Sequence, residues 1–326
     1  MELSLLNPGL LKPNAWFLAV AVLLDFAIGD PVYSAHPVRL MGRTLTFFEA
    51  RLRAMGADGY AGGIALFLLL ACVWIGGVLG VTLAIERVSH PAAILVHVFF
   101  VYSFVALHDL FRHVWRVERA AGSGDLDAAR AAIGQLVGRD TSRLDAAACR
   151  RAAIESLSEN LSDGFVSPLF WYAIAGLSGI VLFKIASTMD SMVGYKTPRY
   201  REFGWCGARL DDVMNFVPAR ITWLLLAAVA IVVPGCSAKK ALLIGWRQHA
   251  ILPGPNAGWG EAATAGAIQR KLIGPIWKNG VLVTDVWLGD GRDAAAGESV
   301  DIRRACVLIG ITGVLAAVLV VLALTH

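Results

Sequence analysis

Long apolar segments alternate with polar blocks along the chain. Four segments come close to the roughly 20 apolar residues that a helix needs to cross the hydrocarbon core of a membrane. They are residues 62–85, 91–107, 217–236 and 306–325. Residues 166–186 have the same length but contain Lys184, and the apolar run 16–28 is shorter and contains Asp25. The pattern predicts an all-α integral membrane protein, a multi-pass helical bundle of about five spans with one additional short or re-entrant segment.

The polar blocks predict one membrane-embedded domain, 1–326, with two larger polar parts. The first is a helical insertion at 109–163, in which Asp125 can cap a helix whose apolar residues recur at helical spacing from 126 to 136. The second is a long polar loop region at 237–304. We expect the insertion to be an amphipathic helical hairpin that lies on the cytoplasmic side.

A second helix of the insertion is predicted to begin near Ser142, because Asp145 follows three residues later in a spacing similar to a capping box. The helix should continue towards Leu161. Gly164 is then expected to end it, and Pro168 to begin the next apolar run.

Composition agrees with a membrane protein and excludes other classes. Hydrophobic residues make up 57% of the 326, charged residues 17%, and the mean hydropathy is +0.62. The formal charge of +4 is too small to indicate a nucleic-acid partner. The five cysteines lie far apart, without the spacing of a zinc site or a disulfide framework.

The distribution of basic residues predicts the orientation. The positive-inside rule places the main polar loops in the cytoplasm, in the inner cell membrane. If every apolar run crosses, however, residues 187–215 lie on the opposite side from the other polar blocks. We therefore expect that either 16–28 or 166–186 does not cross fully, since non-spanning backbone is permitted where it lies within protein or lines a wet cavity.

The first candidate site is a stripe of carboxylates. Glu155, Glu159 and Asp163 are spaced by four and share one face if the helix continues through them. Magnesium together with phosphate would explain three carboxylates on one stripe, because hard oxygen ligands and retained waters suit that ion. The alternative is a solvated acidic face near Arg150 and Arg151.

A second acidic group has helical spacing in the segment before the apolar run at 217–236. Asp211, Asp212 and Asn215 are followed two turns later by Arg220, so that a metal and an anion could be held together. An interfacial charge cluster is the alternative reading.

Between the two acidic groups, Asp190 and Lys196 flank a glycine turn. A lysine beside backbone donors suits the capture of phosphate or carboxylate. No P-loop and no dinucleotide-binding glycine motif occurs, so any nucleotide would be bound in a different way.

Two further segments combine stiff or glycine-rich turns with polar side chains. The X-Pro bonds beside Asp30 and His36 restrict the directions of both residues, and Arg39 follows three residues later. A structural histidine is the alternative there. The second segment, 254–261, brings Asn256, Trp259 and Glu261 to the start of a helix predicted at 261–272, and its alternative is an ordinary loop with a helix N-terminal charge.

Taken in order, these blocks closely resemble the CobD/CbiB family of cobalamin biosynthesis. The resemblance runs from about residue 25 to 274 and rests on the following segments: GDP and HPVRLMGR at 29–43, RDTSRL at 139–144, ESLSENLSDGFVSPLF at 155–170, DSMVGYK to FVPAR at 190–220, and PNAGWGEAATAGA at 255–267. The chain departs from the family at Gly260, where proline is usual, and at Gly254, where a small polar residue is usual. Both departures leave the detailed role of that turn open.

The resemblance implies a multi-pass membrane enzyme, adenosylcobinamide-phosphate synthase. Such an enzyme uses ATP and Mg²⁺ to join aminopropanol or its phosphate to a carboxylate of adenosylcobyric acid. Amide formation from a carboxylate requires an activated acyl group, so the site must neutralise phosphoryl charge and hold an amine within attack distance.

The residues are assigned to this chemistry as hypotheses. The groups expected to act in catalysis are Glu155, Glu159, Asp163, Lys196 and His36, and the base for the incoming ammonium is either His36 or one of the carboxylates. The metal candidates are Glu159, Asp163, Asp211, Asp212 and Asn215. The candidates for binding substrate or nucleotide are Asp30, Arg39, Asn160, Asp190, Tyr195, Arg209, Arg220, Asn256, Trp259 and Glu261.

Two other functional classes stay open. One is an AmpE-like membrane protein of signalling or accessory function, and the other is a small-solute transporter, although inverted repeats are not evident. The expected partners are the corrinoid, the amino alcohol or its phosphate and the lipid bilayer, with no nucleic acid. A homo-oligomer and an association with other corrinoid-pathway membrane enzymes are both compatible with the sequence.

Overall fold

The structure, a computed structural model, describes residues 8–31 and 33–326. It is built from α-helices. They are α1 (Ala15–Ile28), α2 (Pro37–Ala54), α3 (Tyr60–Glu86), α4 (His90–Phe104), α5 (His108–Ser123), α6 (Leu126–Ile133), α7 (Ala146–Asn160), α8 (Ser167–Val193), α9 (Trp205–Val229), α10 (Ala238–Gln248), α11 (Ala257–Ile268) and α12 (Ser299–Ala323). Two strands, β1 (Leu272–Lys278) and β2 (Val281–Leu288), lie between α11 and α12.

Six helical stretches of the described residues are long and apolar enough to cross a membrane. They are Gly9–Ile28, Tyr60–Glu86, His90–Gly122, Ala146–Val193, Trp205–Val229 and Ser299–Ala323. The predicted class, a multi-pass helical membrane protein, is therefore confirmed. Two starts were wrong. The span predicted at 217–236 belongs to α9, which begins twelve residues earlier (217 − 205) and ends at Val229. The span predicted at 306–325 is α12, which begins seven residues earlier (306 − 299) and ends at Ala323. Pro218 lies inside α9 without ending it.

The chain divides into two compact units. Unit 1 comprises the described part of Met1–Ala106, with Ser167–Asn215 and Ala317–His326. Unit 2 comprises Leu107–Val166 and Phe216–Ala316.

Unit 1 is a bundle in which α3 contacts α2, α4 and α8, and α1 lies against α4. Its least regular helix is α8, whose backbone leaves the helical region at Ala175 and Gly176. Gly176 has φ 58°, and a Cβ there would lie 2.2 Å from the carbonyl oxygen of Leu11, so only glycine fits. The apolar run predicted at 166–186 is therefore two helical pieces. The longer, 177–193, is roughly 25 Å long at 1.5 Å per residue.

Unit 2 begins with the predicted insertion. α5 lies on α6 and α7. Asp125 caps α6 by accepting a hydrogen bond from the amide of Ala128 at 2.9 Å, as predicted. The cap of α7 is Asp145, which accepts from the Ala148 amide at 2.7 Å, so the prediction that Ser142 begins this helix was wrong.

The end of α7 also differs from its prediction. Gly164 does not end the helix, because Leu161–Val166 continue it as a π-helical turn that leads into α8. Short π-helical turns are rare and frequently lie at functional sites, since they shift the side chains that follow to a new angle on the helix. Asp163 lies within this turn.

Region 237–304 contains α10, α11 and a β-hairpin, of which the sequence predicted only a helix at 261–272. The helix predicted at 261–272 is α11, which begins at Ala257 and ends at Ile268. β1 and β2 then pair antiparallel, with Lys278 opposite Val281. Asn279 and Gly280 at the tip have φ of 50° and 76°, the left-handed values that a two-residue hairpin turn requires. An Asn-Gly pair between apolar runs is a strong signal for such a hairpin, and it was missed.

Candidate active site

A pocket of about 390 Å³ lies in unit 2. Its walls come from α7, from the start of α11, from β1 and from the segments before α7 and α11. The lining residues are Leu136, Val137, Gly138, Arg139, Glu155, Ser156, Glu159, Leu252, Pro253, Ala257, Glu261, Ile273 and Ile276. Most of the wall is apolar, and its charged groups are one guanidinium and three carboxyls. A concave apolar site with a few convergent polar groups is typical of small-molecule binding.

Glu155 is held by two partners at the wall of this pocket. Its Oε2 accepts a hydrogen bond from Nη2 of Arg139 at 2.6 Å, and its Oε1 accepts from the amide of Ile273 at 2.9 Å. Both side chains of the ion pair are less than a tenth exposed, 9% for Arg139 and 8% for Glu155. Glu155, predicted as a catalytic group, thus positions Arg139 and β1. Arg139 was missed among the candidates, although it begins the RDTSRL segment at 139–144.

Ile273 has an unusual backbone for a β-branched residue, with φ 71°. Such a conformation costs about 1–3 kcal/mol and persists only where its surroundings hold it. Glu155 accepts from its amide, and Nε of Arg151 donates to its carbonyl oxygen at 2.9 Å. The start of β1 is therefore fastened to α7 on both sides of a strained residue.

The other members of the predicted carboxylate stripe differ in exposure. Glu159 is exposed and lines the pocket, whereas Asp163 is half-buried in the π-helical turn. Asn160 donates from Nδ2 to the carbonyl oxygen of Ser156 at 2.9 Å and so stays on its own helix. Glu155 and Glu159 thus share the pocket, as the spacing predicts.

Glu261 brings a further carboxyl to the pocket from α11. It is 5% exposed, and its Oε2 has no hydrogen-bond partner among the described residues. Burial raises the pKa of Glu261 well above its usual value, and the carboxylates of Glu159 and Glu155 raise it further, whereas Arg139 lowers it. α11 lies close to α7 at Gly260, where a Cβ would be 3.0 Å from the carbonyl oxygen of Ser158.

Trp259 lies on α11 between the pocket residues Ala257 and Glu261, but it belongs to an aromatic cluster and not to the pocket lining. Its ring stacks on His249 with centroids 3.8 Å apart, and its buried Nε1 has no partner within the described part of the chain. The guanidinium of Arg220 lies 4.9 Å from the same ring. Trp223 and Trp246 complete the cluster and were missed, because nothing in their spacing relates them to Trp259.

Asn256 is the N-cap residue of α11, and its side chain is buried. The side chain makes no capping hydrogen bond to the helix.

In unit 1, the predicted residues Asp30 and His36 lie next to each other. Nε2 of His36 lies 2.9 Å from Oδ1 of Asp30, and Tyr33 meets the histidine ring edge-on at 5.3 Å. Pro37 begins α2, a position that suits proline, and Arg39 is exposed on the first turn of that helix.

The second acidic group also lies in unit 1, on α9. Asn215 donates from Nδ2 to Oδ2 of Asp211 at 3.0 Å, and its Oδ1 accepts from the Ser167 hydroxyl at 2.5 Å. Nη1 of Arg209 lies 3.2 Å from Oδ2 of Asp212. Hydrogen bonds and an ion pair therefore hold this group within the unit.

The turn after α8 carries the remaining candidates. Gly194 donates its amide to the carbonyl oxygen of Asp190 at 2.8 Å, and a Cβ on Gly194 would lie 2.2 Å from Oδ1 of the same aspartate. Asp190 is half-buried, whereas Tyr195 and Lys196 are exposed. The predicted glycine turn between an aspartate and a lysine is therefore present.

The predicted metal ligands belong to two separate parts of the chain. Nowhere in 8–31 or 33–326 do three or more His, Cys, Asp or Glu side chains form a group that could hold a metal ion by themselves. Glu159 and Asp163 lie in unit 2, and Asp211, Asp212 and Asn215 in unit 1. Mg²⁺ commonly uses one or two carboxylates together with phosphates and waters, so the donor types fit a metal that arrives with a nucleotide.

Comparison with known proteins gives one family. The family model described as CobD/Cbib protein matches residues 18–309. The cobalamin biosynthesis protein CobD of a Sinorhizobium species is 42% identical over 87% of this chain and 90% of its own length. CobD of Pelobacter propionicus is 37% identical over 89% and 90%, and CbiB of Salmonella choleraesuis is 38% identical over 95% and 96%. No solved structure matches the chain significantly.

Proposed function

The chain belongs to the CobD/CbiB family, and on that premise we propose that it is a ligase of cobalamin biosynthesis. It joins aminopropanol or aminopropanol phosphate to a carboxylate of adenosylcobyric acid, uses ATP, and forms adenosylcobinamide or its phosphate. One observation supports this most: three separate sequence blocks contribute polar side chains to a single pocket. They are RDTSRL with Arg139, ESLSEN with Glu155 and Glu159, and PNAGWGEA with Glu261.

The pocket supplies what an amide-forming step requires from the protein. The carboxylate substrate must be activated, and the amine must reach it as a free base within attack distance. A small apolar pocket with buried carboxyls can exclude water and orient an amine. Arg139, held by Glu155, places a fixed positive charge beside the site of attack.

ATP and Mg²⁺ remain part of the proposal. Glu159 and Asp163 offer hard oxygen donors for an ion that the nucleotide brings with it. The ion would offset phosphoryl charge. Asp211, Asp212 and Asn215 keep their proposed metal role in unit 1.

The proposed phosphate-binding groups are cationic side chains of both units. Lys196, Arg39 and Arg209 belong to unit 1, and Arg220 belongs to unit 2. They neutralise phosphate or the corrinoid carboxylates. His36, beside Asp30, is one proposed base for the ammonium, and a pocket carboxyl is the other.

A feeding experiment tests the function. A bacterial mutant that lacks this step receives either cobyric acid or cobinamide, with or without the gene for this chain. We expect growth on cobyric acid to depend on the chain and growth on cobinamide to be independent of it. Growth on cobyric acid without the chain, or a failure to grow with it, would contradict the ligase and favour the AmpE-like or transporter class.

Two variants place the activity in the pocket. Glu159→Gln removes one exposed carboxylate of the site and should abolish rescue on cobyric acid. Glu298→Gln is the matched control, because Glu298 is 73% exposed and pairs with Arg270 only at 4.0 Å. Equal rescue by both variants, at equal protein level in the membrane, would remove Glu159 from the mechanism.

The proposed location is the inner cell membrane, with the main polar loops in the cytoplasm. Single cysteines at Ser191 and Ser123 test whether their two polar segments lie on one side of the membrane. Both residues are exposed. Labelling of the two positions from opposite sides would contradict the proposal that both polar segments are cytoplasmic.

A further inference from the structure

The hairpin of β1 and β2 forms one wall of the pocket in unit 2, where Ile273 and Ile276 of β1 belong to the lining. Three successive residues at the start of β2, Val281, Leu282 and Val283, are exposed. Because successive side chains of a strand point to opposite faces, this part of β2 is covered on neither face. A segment with so little burial belongs to the less stable part of a fold, from which moving elements are drawn.

The base of the hairpin is fastened on both strands. At the start of β1, the backbone of Ile273 is hydrogen-bonded to Glu155 and Arg151 of α7. Directly after β2, Gly289 donates its amide to Oε1 of Gln248 at 2.7 Å and accepts from Nε2 of the same side chain at 3.0 Å. Gln248 is the last residue of α10. Both strands therefore have a fixed position at the base.

Residues with positive φ lie at this base. The φ angles are 71° at Ile273, 82° at Gly274 and 129° at Gly289. Hinges are a few residues at the ends of elements that absorb a change of backbone angle, and glycine does so with the least steric cost. Gly274 and Gly289, one on each strand, therefore allow the paired ribbon to swing about its base.

The far end of the hairpin is held by the segment that precedes α7. Asp140 donates its amide to the carbonyl oxygen of Trp277 at 2.8 Å, and its Oδ2 accepts from the amide of Gly280 at 2.8 Å. The guanidinium of Arg143 lies 4.2 Å from the centre of the Trp277 ring. The carboxylate contact is exposed to solvent, where a hydrogen bond exchanges readily with water. These contacts can therefore open while the base stays in place.

The same two short stretches of chain carry both the pocket wall and these contacts. Arg139 lines the pocket and Asp140 follows it, whereas Ile276 lines the pocket and Trp277 follows it. The register of the ladder shifts between Ile276 and Trp277. Such a bulge re-aims the side chains on its two sides, and bulges are common next to active sites. Release of Trp277 from Asp140 therefore separates two walls of the pocket.

We propose that the hairpin is a lid of the pocket, with a hinge at Gly274 and Gly289 and a latch formed by Asp140 and Arg143. Unlatching admits a small molecule between the two walls, and latching shuts water out. Exclusion of water protects an activated acyl group from hydrolysis. Asp140 and Arg143 are thus positioning residues. The inference rests on the proposed function only in taking this pocket as the place of the acyl transfer.

Thiol labelling measures the opening of the lid on the full chain in lipid nanodiscs, without ATP, amine or corrinoid. Ser156→Cys places a thiol in the pocket lining, at a position that is 4% exposed. The native Cys149 is buried on the same helix, seven residues earlier (156 − 149) and outside the pocket lining. A water-soluble maleimide is added, and mass spectrometry of peptides gives the labelling rate at each position. Labelling at Cys149 reports unfolding of α7 and not opening of the lid.

The latch variants are made in the Ser156→Cys background. Asp140→Ala should speed labelling of the pocket thiol about tenfold, the lower end of the range for a hydrogen bond to a charged group, because this bond is exposed. Arg143→Met keeps an apolar stem and removes the cation, and it should speed labelling about two- to fivefold. Asp127→Asn is the control, since Asp127 is 96% exposed on α6, and should change nothing. The rate at Cys149 should stay the same in all three.

Unchanged labelling of the pocket thiol in both latch variants would overturn the lid. An equal rise at Cys149 in both variants would overturn it as well, because α7 would then unfold instead of the lid opening. If Asp140→Ala fails to fold, Arg143→Met decides by itself. Because labelling needs no turnover, lid opening without rescue on cobyric acid would refute the ligase alone, and rescue with unchanged labelling would refute the lid alone.

Discussion

The buried ion pair between Arg139 and Glu155 offers the sharpest test of how the candidate site is held together. Glu155→Gln keeps the shape of the side chain and removes its charge. The glutamine has one acceptor oxygen for two donors, which are Nη2 of Arg139 at 2.6 Å and the amide of Ile273 at 2.9 Å. Its amide nitrogen must face one of these donors, so one hydrogen bond is lost and a buried guanidinium remains without its counter-charge.

The expected cost follows from this geometry. Removing one partner of a buried ion pair costs about 3–5 kcal/mol, and the retained oxygen places the change near the lower end. A change of about 3 kcal/mol raises the open population at this site roughly 150-fold, since 1.4 kcal/mol is tenfold. The strain of about 1–3 kcal/mol stored at Ile273 favours the same opening.

Hydrogen exchange, followed by mass spectrometry on protein in nanodiscs, is the assay. Peptides that contain the Ile273 amide should exchange about a hundredfold faster in Glu155→Gln than in the unaltered chain. Glu298→Gln should leave exchange unchanged. The double variant Arg139→Met with Glu155→Gln should recover most of the protection, because it leaves no unpaired charge and the glutamine oxygen can accept from Ile273.

Two results would refute this reasoning. One is exchange at Ile273 that is unchanged in Glu155→Gln. The other is a double variant no better protected than the single one, which would mean that the unpaired Arg139 charge is not what costs free energy.

Three further predictions concern backbone and pH. Gly176→Ala should lower the thermal unfolding temperature in detergent, because its Cβ would lie 2.2 Å from the Leu11 carbonyl oxygen. Gly77→Ala is the control and should not lower it, because nothing lies within 4 Å of a Cβ there. Equal effects of the two variants would contradict the steric explanation. Because the pKa of Glu261 is raised in the folded protein, its stabilising contribution is complete below the ordinary carboxyl pKa and should be lost as pH rises through the raised pKa. Glu261→Gln should therefore make the thermal unfolding temperature depend less on pH. An unchanged pH dependence in this variant would exclude Glu261 as the cause. Gly280→Val should destabilise the hairpin by about 1–2 kcal/mol, because the φ of 76° at this position is unfavourable for valine. The change should appear as faster hydrogen exchange confined to β1 and β2. Full protection of both strands would show that the turn does not control the hairpin.

Much of the fold follows from local properties of the chain. A run of about 20 apolar residues predicts α3 closely, because the length of a span is set by membrane thickness and not by neighbours. The cap at Asp125 was predicted for the same reason, since a capping side chain satisfies amides within three residues of itself. The cap at Asp145 was misplaced by three residues, because both Ser142 and Asp145 suit that role and the choice depends on how the turn packs.

Other features depend on residues far apart in the chain. The break in α8 at Gly176 exists because that glycine meets the backbone of Leu11, and nothing within residues 166–186 specifies that contact. The π-helical turn at Asp163 likewise has no local signal. The hairpin at 279–280 does have a local signal, the Asn-Gly pair, although the region around it was predicted to be a polar loop.

The sequence by itself determined the helical membrane class, the family and which blocks carry polar side chains, because hydropathy, helix caps and motifs are written in neighbouring residues. Only the tertiary structure decided which of these side chains meet. It placed Arg139 and Glu261, which lie 122 residues apart (261 − 139), in one pocket with Glu155 and Glu159. It also gave Glu155 a positioning role and left Glu261 buried without a partner for one oxygen, since burial and charge balance arise only when separate elements pack together.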